Sequence, residues 1–243
     1  MVNIYEKIGL TKLIEDNILI IPKNISNIKL DIGLSYCAPN SQLWLRTLKD
    51  RIIFAFEPLP SNINSINHLG LTNDPNFKLL YTALDNIIEP TYTDFYVTNT
   101  DPGCSSLYKP TKYLPYTVKE VIKVPVISLE YFLSLIPWKR FKYIEHIKID
   151  TQGKDYNILQ SISEYLHKIV FINVETTVFN HYEKDDDNYK INDLLVSNNF
   201  ECIKENKTYT HGWNGIQSNE IVDKQYINKK YKHLKEILDS RTV

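Results

Sequence analysis

Short apolar runs alternate with helix-length segments along this chain of 243 residues. Runs such as Ile52–Phe56 and Ile169–Glu175 are largely continuous in apolar character, which is typical of strands buried on both faces of a sheet. Segments such as Lys154–Leu166 carry apolar residues at helical spacing. The alternation predicts an α/β fold, with a mostly parallel sheet and helices on both faces.

The same pattern places the individual elements. Strands are predicted at Ile28–Ile32, Ile52–Phe56, Phe77–Leu84, Thr91–Val97, Val121–Ile127, Tyr143–Asp150, Ile169–Glu175, Phe200–Lys204 and Ile216–Val222. Helices are predicted at Asn3–Asp16, Pro39–Leu48, Ser61–Leu69, Leu129–Ile136, Lys154–Leu166, Tyr189–Asn198 and Lys229–Leu238. The last two strands have no full helix between them, which predicts one antiparallel edge strand.

The chain is expected to form one domain over residues 1–243. We divide it into an N-terminal helical extension at 1–27, a core at 28–222 and a C-terminal helix at 223–243.

Charge and composition exclude several classes of protein. Lys plus Arg number 28 and Asp plus Glu number 29, so there is no global attraction to nucleic acid or to an anionic membrane. No apolar stretch reaches the roughly 18 residues of a membrane helix, and Glu6 and Lys7 interrupt the place of a signal peptide's apolar core. We therefore expect a cytoplasmic location. The three cysteines include no C-x-x-C pair, which disfavours a structural zinc site.

Four predicted strands end in carboxylates, at Asp31, Glu57, Asp150 and Glu175. Ligands of such sheets bind at the carboxyl ends of the strands. Glu57 could accept both hydroxyl hydrogens of a ribose. The first turn has only Gly33, whereas a pyrophosphate site needs several glycines, so this turn favours a nucleoside without a pyrophosphate.

Seven segments, taken in order, resemble the FkbM family of S-adenosylmethionine-dependent methyltransferases. The matching segments are Leu30–Gly33, Phe54–Pro58, Thr82–Asp85, Gly103–Leu107, Val124–Glu130, Ile147–Gly153 and Val174–Glu175. The resemblance implies a Rossmann-like class I methyltransferase fold, whose seven-stranded sheet has a reversed last strand. It also implies S-adenosylmethionine as cofactor and a hydroxyl acceptor on a sugar, glycan or small metabolite.

The resemblance assigns site residues by position. It implies Asp31 and Gly33 beside the methionine part of the cofactor, with Glu57 and Pro58 at the ribose. The remaining positions that it implies are Ala83 and Leu84 at the adenine, Ser105 and Ser106 near the cofactor or acceptor, and Asp150 beside the reacting methyl group. The family's second glycine is replaced by Cys37, so Ser35 or Asn40 could contact the cofactor instead, and Gln152 stands where Glu is usual.

Asp150 and Glu175 are expected on adjacent parallel strands, about 4.8 Å apart. Two carboxylates so placed could hold a divalent cation such as Mg²⁺, or one could act as a general base. Alternatively, Asp150 only binds the cofactor and Glu175 pairs with a lysine. His181 follows Glu175 in the next loop and is a further candidate base.

Three functions remain open at this stage. The first is an O-methyltransferase acting on a sugar, glycan or small metabolite. The second is an RNA ribose 2′-O-methyltransferase, a class that uses a Lys-Asp-Lys-Glu set of side chains. The neutral charge disfavours it, and so does the position of Lys168, the candidate for the second lysine, which lies roughly 23 Å along the strand from Glu175. The third is a non-catalytic scaffold that binds the cofactor. His211, Trp213 and Asn214 could form an acceptor wall or a packed hairpin, and Asp185–Asp187 are expected to be a solvated loop.

Overall fold

The computed structural model describes residues 3–47, 49–177, 181–183, 188–210 and 219–239. The strands are β1 (Ile14–Glu15), β2 (Ile18–Leu19), β3 (Asn27–Ile32), β4 (Arg51–Phe56), β5 (Phe77–Leu80), β6 (Ala83–Leu84), β7 (Thr91–Thr98), β8 (Val118–Ile127), β9 (Ile144–Ile149), β10 (Ile169–Thr177), β11 (Phe200–Thr210) and β12 (Asn219–Asn228). The helices are α1 (Ile4–Lys7), α2 (Pro39–Thr47), α3 (Pro60–His68), α4 (Leu129–Ser134), α5 (Asp155–Ser161), α6 (Asn188–Ser197) and α7 (Lys235–Asp239).

Seven strands form the main sheet in the order β11-β12-β10-β9-β3-β4-β5. Strands β3, β4, β5, β9 and β10 are parallel, whereas β12 runs antiparallel to both β10 and β11. This is the predicted class I methyltransferase architecture. The reversed strand lies one place in from the edge rather than at it, because β11 and β12 pair as a hairpin and β12 is the arm that joins β10.

Helices cover both faces of this sheet, as predicted. Phe54 and Phe56 contact Phe132 of α4 edge to face, at 5.2 and 5.0 Å between ring centroids. The alternate residues Ile53 and Ala55 belong to a separate core cluster with Trp44 of α2 and Ile66 of α3. Since successive strand residues point to opposite faces, α2 and α3 lie on the face opposite α4.

The predicted strand Phe77–Leu84 is wrong as a single element. Strand β5 ends at Leu80, and β6 joins a separate three-stranded sheet in the order β6-β8-β7. The Thr82 hydroxyl donates to Pro125 O at 2.9 Å, and Ala83 pairs with Val126. These contacts with β8 draw the chain away from the main sheet and place Ala83 and Leu84 beyond its carboxyl edge.

Two predicted helices are also interrupted. The helix predicted at Asn3–Asp16 is a short α1, a 3-10 turn at Leu10–Leu13 and the β1–β2 hairpin, with a break at Gly9, whose φ is +82°. The helix predicted at Lys154–Leu166 is α5 followed by a 3-10 turn at Ser163–Lys168. The N-terminal extension is therefore only partly helical.

The C-terminal boundary also differs from the prediction. Strand β12 continues to Asn228, past the predicted limit of the core at residue 222. A 3-10 turn at Lys229–Leu234 then leads into α7. Among the residues that the structure describes, no helix combines the length and apolar character needed to cross a membrane.

Candidate functional site

A cleft with about 550 Å³ of free space, its open mouth included, lies at the carboxyl edge of the main sheet. The three-stranded sheet supplies part of the opposite wall. Eight residues predicted from the sequence line this cleft, which we call the cofactor cleft after the role predicted for it: Gly33, Ser35, Glu57, Pro58, Ala83, Leu84, Ser105 and Asp150. They meet because the parallel strands that carry several of them end at the same edge.

Glu57 lies at the end of β4 and is buried. Its Oε1 accepts hydrogen bonds from the Leu59 amide at 2.9 Å and from Asn62 Nδ2 at 3.3 Å, while Oε2 accepts from the Ser35 amide at 3.0 Å. Burial nevertheless raises the pKa of Glu57 to about 7, because these hydrogen bonds only partly offset the loss of solvation. The turn after β3 is thus fastened to the end of β4 by a carboxylate that faces the cleft.

The cleft also contains polar atoms that lack a protein partner. Asn62 Oδ1 and Thr151 Oγ1 are buried and make no hydrogen bond with the described residues. Apolar side chains of Phe56, Phe95 and Leu107 complete the walls. An apolar slot with a few unsatisfied polar groups is typical of a small-molecule site and suits a flat base attached to a hydroxylated sugar.

Gly33 brings β3 and β9 into close contact beside the cleft. A Cβ atom at this position would lie 1.9 Å from the carbonyl oxygen of Asp150, and its φ of +75° is in the left-handed region. Only glycine tolerates both conditions. The approach of Gly33 to Asp150 therefore joins two functional candidates from distant parts of the sequence.

Asp150 is held by hydrogen bonds and charge at the end of β9. Gln152 Nε2 donates to Asp150 Oδ1 at 2.6 Å, and Lys148 Nζ lies 3.4 Å from Oδ2. Lys148 also donates to Gly33 O at 2.6 Å and lies 3.9 Å from Asp31 Oδ1. Burial alone would lower the pKa of Lys148, but the Asp150 and Asp31 carboxylates reverse this and raise it. The ammonium charge is therefore retained beside Asp150.

A second depression, which we call the sheet-face groove, extends from Asp150 along the α2 side of the main sheet. It contains about 1570 Å³ of free space, its open mouth included. Its lining comprises Asn40, Leu43, Trp44, His146, Lys148, Ile149, Asp150, Asn173, Val174, Glu175, Lys204, Asn206, Asp223, Lys224 and Gln225. Asp150 is common to this groove and the cofactor cleft.

Glu175 lies in the sheet-face groove, one residue beyond the Val174–Ile149 pair that joins β10 to β9. In the antiparallel register of β10 and β12, Glu175 lies directly opposite Asp223. Burial, followed by the charges of Asp150 and other nearby carboxylates, raises the pKa of Glu175 well above its usual range. No ion pair to a lysine is present for Glu175 among the described residues.

Three predicted site residues lie outside both depressions. Asp31 faces α2, where its Oδ2 accepts from the Ser41 amide at 3.0 Å and from the Ser41 hydroxyl at 2.6 Å. The Ser106 hydroxyl donates to Gln152 O at 2.7 Å, behind the cleft wall. His181 is buried, and burial lowers the pKa of its ring. Their roles in binding or catalysis stay predictions.

The described part of the chain has no group of three or more His, Cys, Asp or Glu side chains arranged to hold a metal ion. The predicted cation site at Asp150 and Glu175 therefore finds no support, and the Lys148 ammonium already neutralises part of the charge there. His211, Trp213, Asn214 and Asp185–Asp187 lie outside the described residues.

Residues 33–202 match the family model described as a methyltransferase FkbM domain. The chain belongs to the FkbM methyltransferase family. The matched range includes the cofactor cleft from Gly33 onward, together with Asp150 and Glu175. No curated protein matches this FkbM-family chain significantly.

Solved structures with a similar fold include other methyltransferases. The methyltransferase FkbM from Methylobacillus flagellatus has a TM-score of 0.42 and 11% identity, over 84% of this chain and 45% of that one. An arsenic(III) S-adenosylmethionine methyltransferase from Chlamydomonas reinhardtii has a TM-score of 0.43 and 7% identity, over 91% and 70%. Fibrillarin from Aeropyrum pernix, with S-adenosyl-L-methionine bound, has a TM-score of 0.39 and 8% identity, over 89% and 74%. The chain thus spans less than half the length of the Methylobacillus protein.

Several residues of the FkbM site were missed by sequence reasoning. Phe95 comes from the three-stranded sheet, whose position no local pattern reveals, and Leu107 ends the matching segment Gly103–Leu107, which assigned it no role. Asn62 follows the matching segment Phe54–Pro58 and belongs to the same resemblance, but no role was assigned to it, although it lies about one helical turn after Glu57 and α3 begins at Pro60. Tyr182 carried no signal, although its hydroxyl donates to Gln152 Oε1 at 2.7 Å.

Proposed function

We propose that this protein transfers the methyl group of S-adenosylmethionine to a hydroxyl oxygen of a sugar, glycan or small metabolite. The observation that carries the proposal is the position of Asp150, which lines both the cofactor cleft and the sheet-face groove. A carboxylate at this junction would lie between a methyl donor in the cleft and an acceptor that approaches from the groove.

The residues of the cleft fit the proposed cofactor. Glu57 would accept hydrogen bonds from the ribose hydroxyls, and the unpartnered Asn62 Oδ1 would accept another from the nucleoside. Ala83 and Leu84 would border the adenine, with Phe95 as an apolar wall. Pro58, Ser35 and Ser105 also line the cleft and are proposed as cofactor contacts, as Asp31 and Ser106 are from the family resemblance alone.

S-adenosylmethionine, when bound, supplies a methyl group on a positively charged sulfur, which is a good leaving group. The acceptor oxygen forms a bond to the methyl carbon while the carbon–sulfur bond breaks and its electron pair stays on sulfur. The protein's tasks are to orient the hydroxyl and to take its proton. We assign the proton to the Asp150 carboxylate, whose orientation is held by Gln152 and Lys148.

Glu175 and His181 are proposed in supporting roles. The raised pKa favours the protonated form of Glu175, whose carboxyl group would donate a hydrogen bond to the acceptor or receive the proton after an exchange. The carbonyl of His181 accepts from the Thr111 amide at 2.8 Å, which fastens the loop after β10 to the segment near the cleft. Its ring stays a proposed alternative base.

The RNA alternative requires a second lysine near the carboxylates. Lys168 lies at the amino end of β10, with its ammonium 4.2 Å from the Trp138 ring centroid, and Glu175 is near the other end of that strand. Lys168 therefore does not supply that lysine, although Lys148, Lys204 and Lys224 line the sheet-face groove together with Asp150 and Glu175. A small-molecule or glycan acceptor, a cytoplasmic location and a single domain over residues 1–243 remain part of our proposal.

The test combines cofactor binding with a product screen. Calorimetry should detect S-adenosylhomocysteine binding to the wild-type protein, and mass spectrometry should detect acceptors that gain one methyl group when a mixture of hydroxylated metabolites and saccharides is supplied. Binding without any methylated product would favour the scaffold alternative. Absence of binding would refute the proposed function.

A further inference from the structure

Lys154 is a buried lysine that lines the cofactor cleft, and the methyl-transfer proposal does not use it. It directly precedes α5, and only 8% of the residue is exposed. Its ammonium lies 2.6 Å from Asp85 Oδ2, in an ion pair whose two side chains are 11% and 15% accessible. The ammonium also lies over the Tyr108 ring, at 4.2 Å from the centroid. Lysine is rarely buried unless it is paired, so Asp85 accounts for the burial but not for the place in the cleft wall.

The ion pair lies at the end of the cleft where the adenine is proposed to bind. Asp85 directly follows Ala83 and Leu84, which line the cleft at that end. The Asp85 amide donates to Ile127 O at 3.2 Å, and this bond fixes Asp85 to the three-stranded sheet. Through Asp85, the ammonium of Lys154 is therefore held beside the two residues that border the adenine.

The ammonium of Lys154 has more donors than the protein uses. A lysine ammonium carries three N–H groups. Among the residues that the structure describes, Asp85 is the one hydrogen-bond acceptor of Nζ, and the Tyr108 ring interacts with the charge through its face. At least one N–H group therefore has no acceptor in the described part of the chain, and the side chain retains accessible surface through which a ligand can reach it.

A free ammonium donor is complementary to the edge of an adenine base, whose ring nitrogens are hydrogen-bond acceptors. Ala83, Leu84 and Phe95 line the cleft with apolar side chains, which cannot distinguish adenine from another flat ring by hydrogen bonding. A donor held beside them would set the orientation of the base and disfavour a base without an acceptor at that position. The ion pair with Asp85 limits the movement of the ammonium, which lowers the entropy cost of that contact.

We propose that Lys154 recognises the adenine of the cofactor by donating a hydrogen bond from its ammonium to a ring nitrogen of the base, with Asp85 as a positioning residue. The inference rests on the proposed function, because it requires S-adenosylmethionine in the cofactor cleft. A hydrogen bond from a charged donor is stronger than one between neutral groups, so Lys154 contributes to cofactor affinity as well as to selectivity for the base.

The experiment measures by calorimetry how protein variants bind S-adenosylhomocysteine and analogues of it that lack one ring nitrogen of the base. The analogues carry 1-deaza-, 3-deaza- or 7-deazaadenine, in which a C–H group replaces the nitrogen. Lys154→Met keeps a long unbranched side chain and removes the ammonium. Lys123→Met is the matched control, because Lys123 forms an ion pair with Asp94 at 2.9 Å on the surface.

We expect Lys154→Met to bind S-adenosylhomocysteine about tenfold or more weakly than the wild type does, and Lys123→Met to bind it with wild-type affinity. On the wild type, one of the deaza analogues should bind about tenfold or more weakly than S-adenosylhomocysteine. On Lys154→Met, the disadvantage of that same analogue should shrink to about threefold or less, because the donor that it fails to satisfy is already absent. The other analogues should show no such coupling to Lys154.

A lysine that only joins the start of α5 to Asp85 would give a different result. Lys154→Met would then weaken S-adenosylhomocysteine and all three analogues by the same factor, and the proposal is overturned. It is also overturned if Lys154→Met binds S-adenosylhomocysteine within about threefold of the wild type, or if none of the analogues binds the wild type more weakly than S-adenosylhomocysteine does.

Two further arms complete the experiment. If Lys154→Met does not fold, the double variant Lys154→Met/Asp85→Asn replaces it in the same comparison, since it leaves no unpaired carboxylate. Failure of the wild-type protein to bind S-adenosylhomocysteine would refute the proposed function. Binding to the wild type without coupling between Lys154 and any ring nitrogen would refute only the role of Lys154.

Discussion

The side-chain amide of Gln152 donates a hydrogen bond to Asp150 Oδ1 at 2.6 Å. Gln152 is itself held by the Tyr182 hydroxyl, which donates to its Oε1 at 2.7 Å, and by Ser106, which donates to its carbonyl. Tyr182 and Ser106 thus hold Gln152, and Gln152 orients the Asp150 carboxylate at the junction of the two depressions. Because Tyr182 follows β10 and Ser106 precedes β8, this hydrogen-bond network joins parts of the protein that are distant in sequence.

Removing this support should slow methyl transfer without weakening cofactor binding. A hydrogen bond to a charged group contributes roughly 1.5–3 kcal/mol, so Gln152→Ala should lower kcat by about tenfold or more. Tyr182→Phe should have a smaller effect in the same direction. The double variant should be less impaired than the product of the two single effects, because both substitutions act on one network. Fully multiplicative losses of kcat would contradict the network.

Asp150→Asn keeps the shape of the side chain and removes its charge. If Asp150 takes the acceptor's proton, turnover with the acceptor found in the screen should fall by about 10²–10⁴-fold. Affinity for S-adenosylhomocysteine should change much less. Asp94→Asn is the control, since Asp94 pairs with Lys123 on the surface. Turnover of Asp150→Asn within about threefold of wild type would eliminate the catalytic role.

Glu57→Ala should weaken S-adenosylhomocysteine binding at least tenfold, because two charge-assisted hydrogen bonds of roughly 1.5–3 kcal/mol each are lost. Calorimetry measures the affinity, and Glu89→Ala at an exposed position is the control. Equal affinities in wild type and Glu57→Ala would remove the ribose assignment.

Cofactor affinity should also depend on pH through Glu57. With a pKa of about 7 in the ligand-free protein, Glu57 loses its charge as the pH falls from 8 to 6. Ribose hydroxyls bind the ionised form better, so affinity should fall about tenfold over this range. The Glu57→Ala variant should show a flat profile there, and a profile as steep as that of wild type would assign the titration to another group.

Gly33→Ala should be much more destabilising than Gly70→Ala. Both glycines have a φ of +75°, so the backbone strain of the alanine is the same. At Gly33 the new Cβ would meet the Asp150 carbonyl at 1.9 Å, whereas at Gly70 the nearest atom lies 3.6 Å away. Urea unfolding should show an additional loss of about 2 kcal/mol or more for Gly33→Ala. Equal losses would mean that β3 and β9 separate easily.

His146 should make the protein less stable in mild acid. Its pKa is about 3 in the folded protein and about 6.5 when unfolded, so between these values the unfolded chain takes up a proton that the folded chain does not. The wild-type free energy of unfolding therefore falls as the pH drops below 6.5. Between pH 8 and pH 5.5 the free energy of unfolding of the wild type should fall by about 1.4 kcal/mol more than that of His146→Phe, as measured by urea unfolding at both pH values. Parallel pH profiles would show that His146 is protonated in the folded state.

The sequence by itself determined most of the strands and the sheet edge that carries the candidate site. The apolar character of Ile52–Phe56 requires burial on both faces, and that requirement is local, so the strand is readable from its own residues. Once the strands are parallel, the residues that follow them share one edge, which is why Gly33, Glu57 and Asp150 could be grouped in advance. The family resemblance added the cofactor and the order of the motifs.

Tertiary structure alone decided how that edge becomes a site. Phe95 reaches the cleft only because β7 pairs with β8 outside the main sheet, and Thr82 turns the chain toward that sheet through Pro125, a residue far along the sequence. The sheet-face groove depends on where α2 lies across the sheet, and the burial of His146 beneath Trp44 has no signature in its own sequence neighbourhood. Such features arise from contacts between distant segments, whose geometry is set by the packing of the whole fold and not by the pattern of any one stretch.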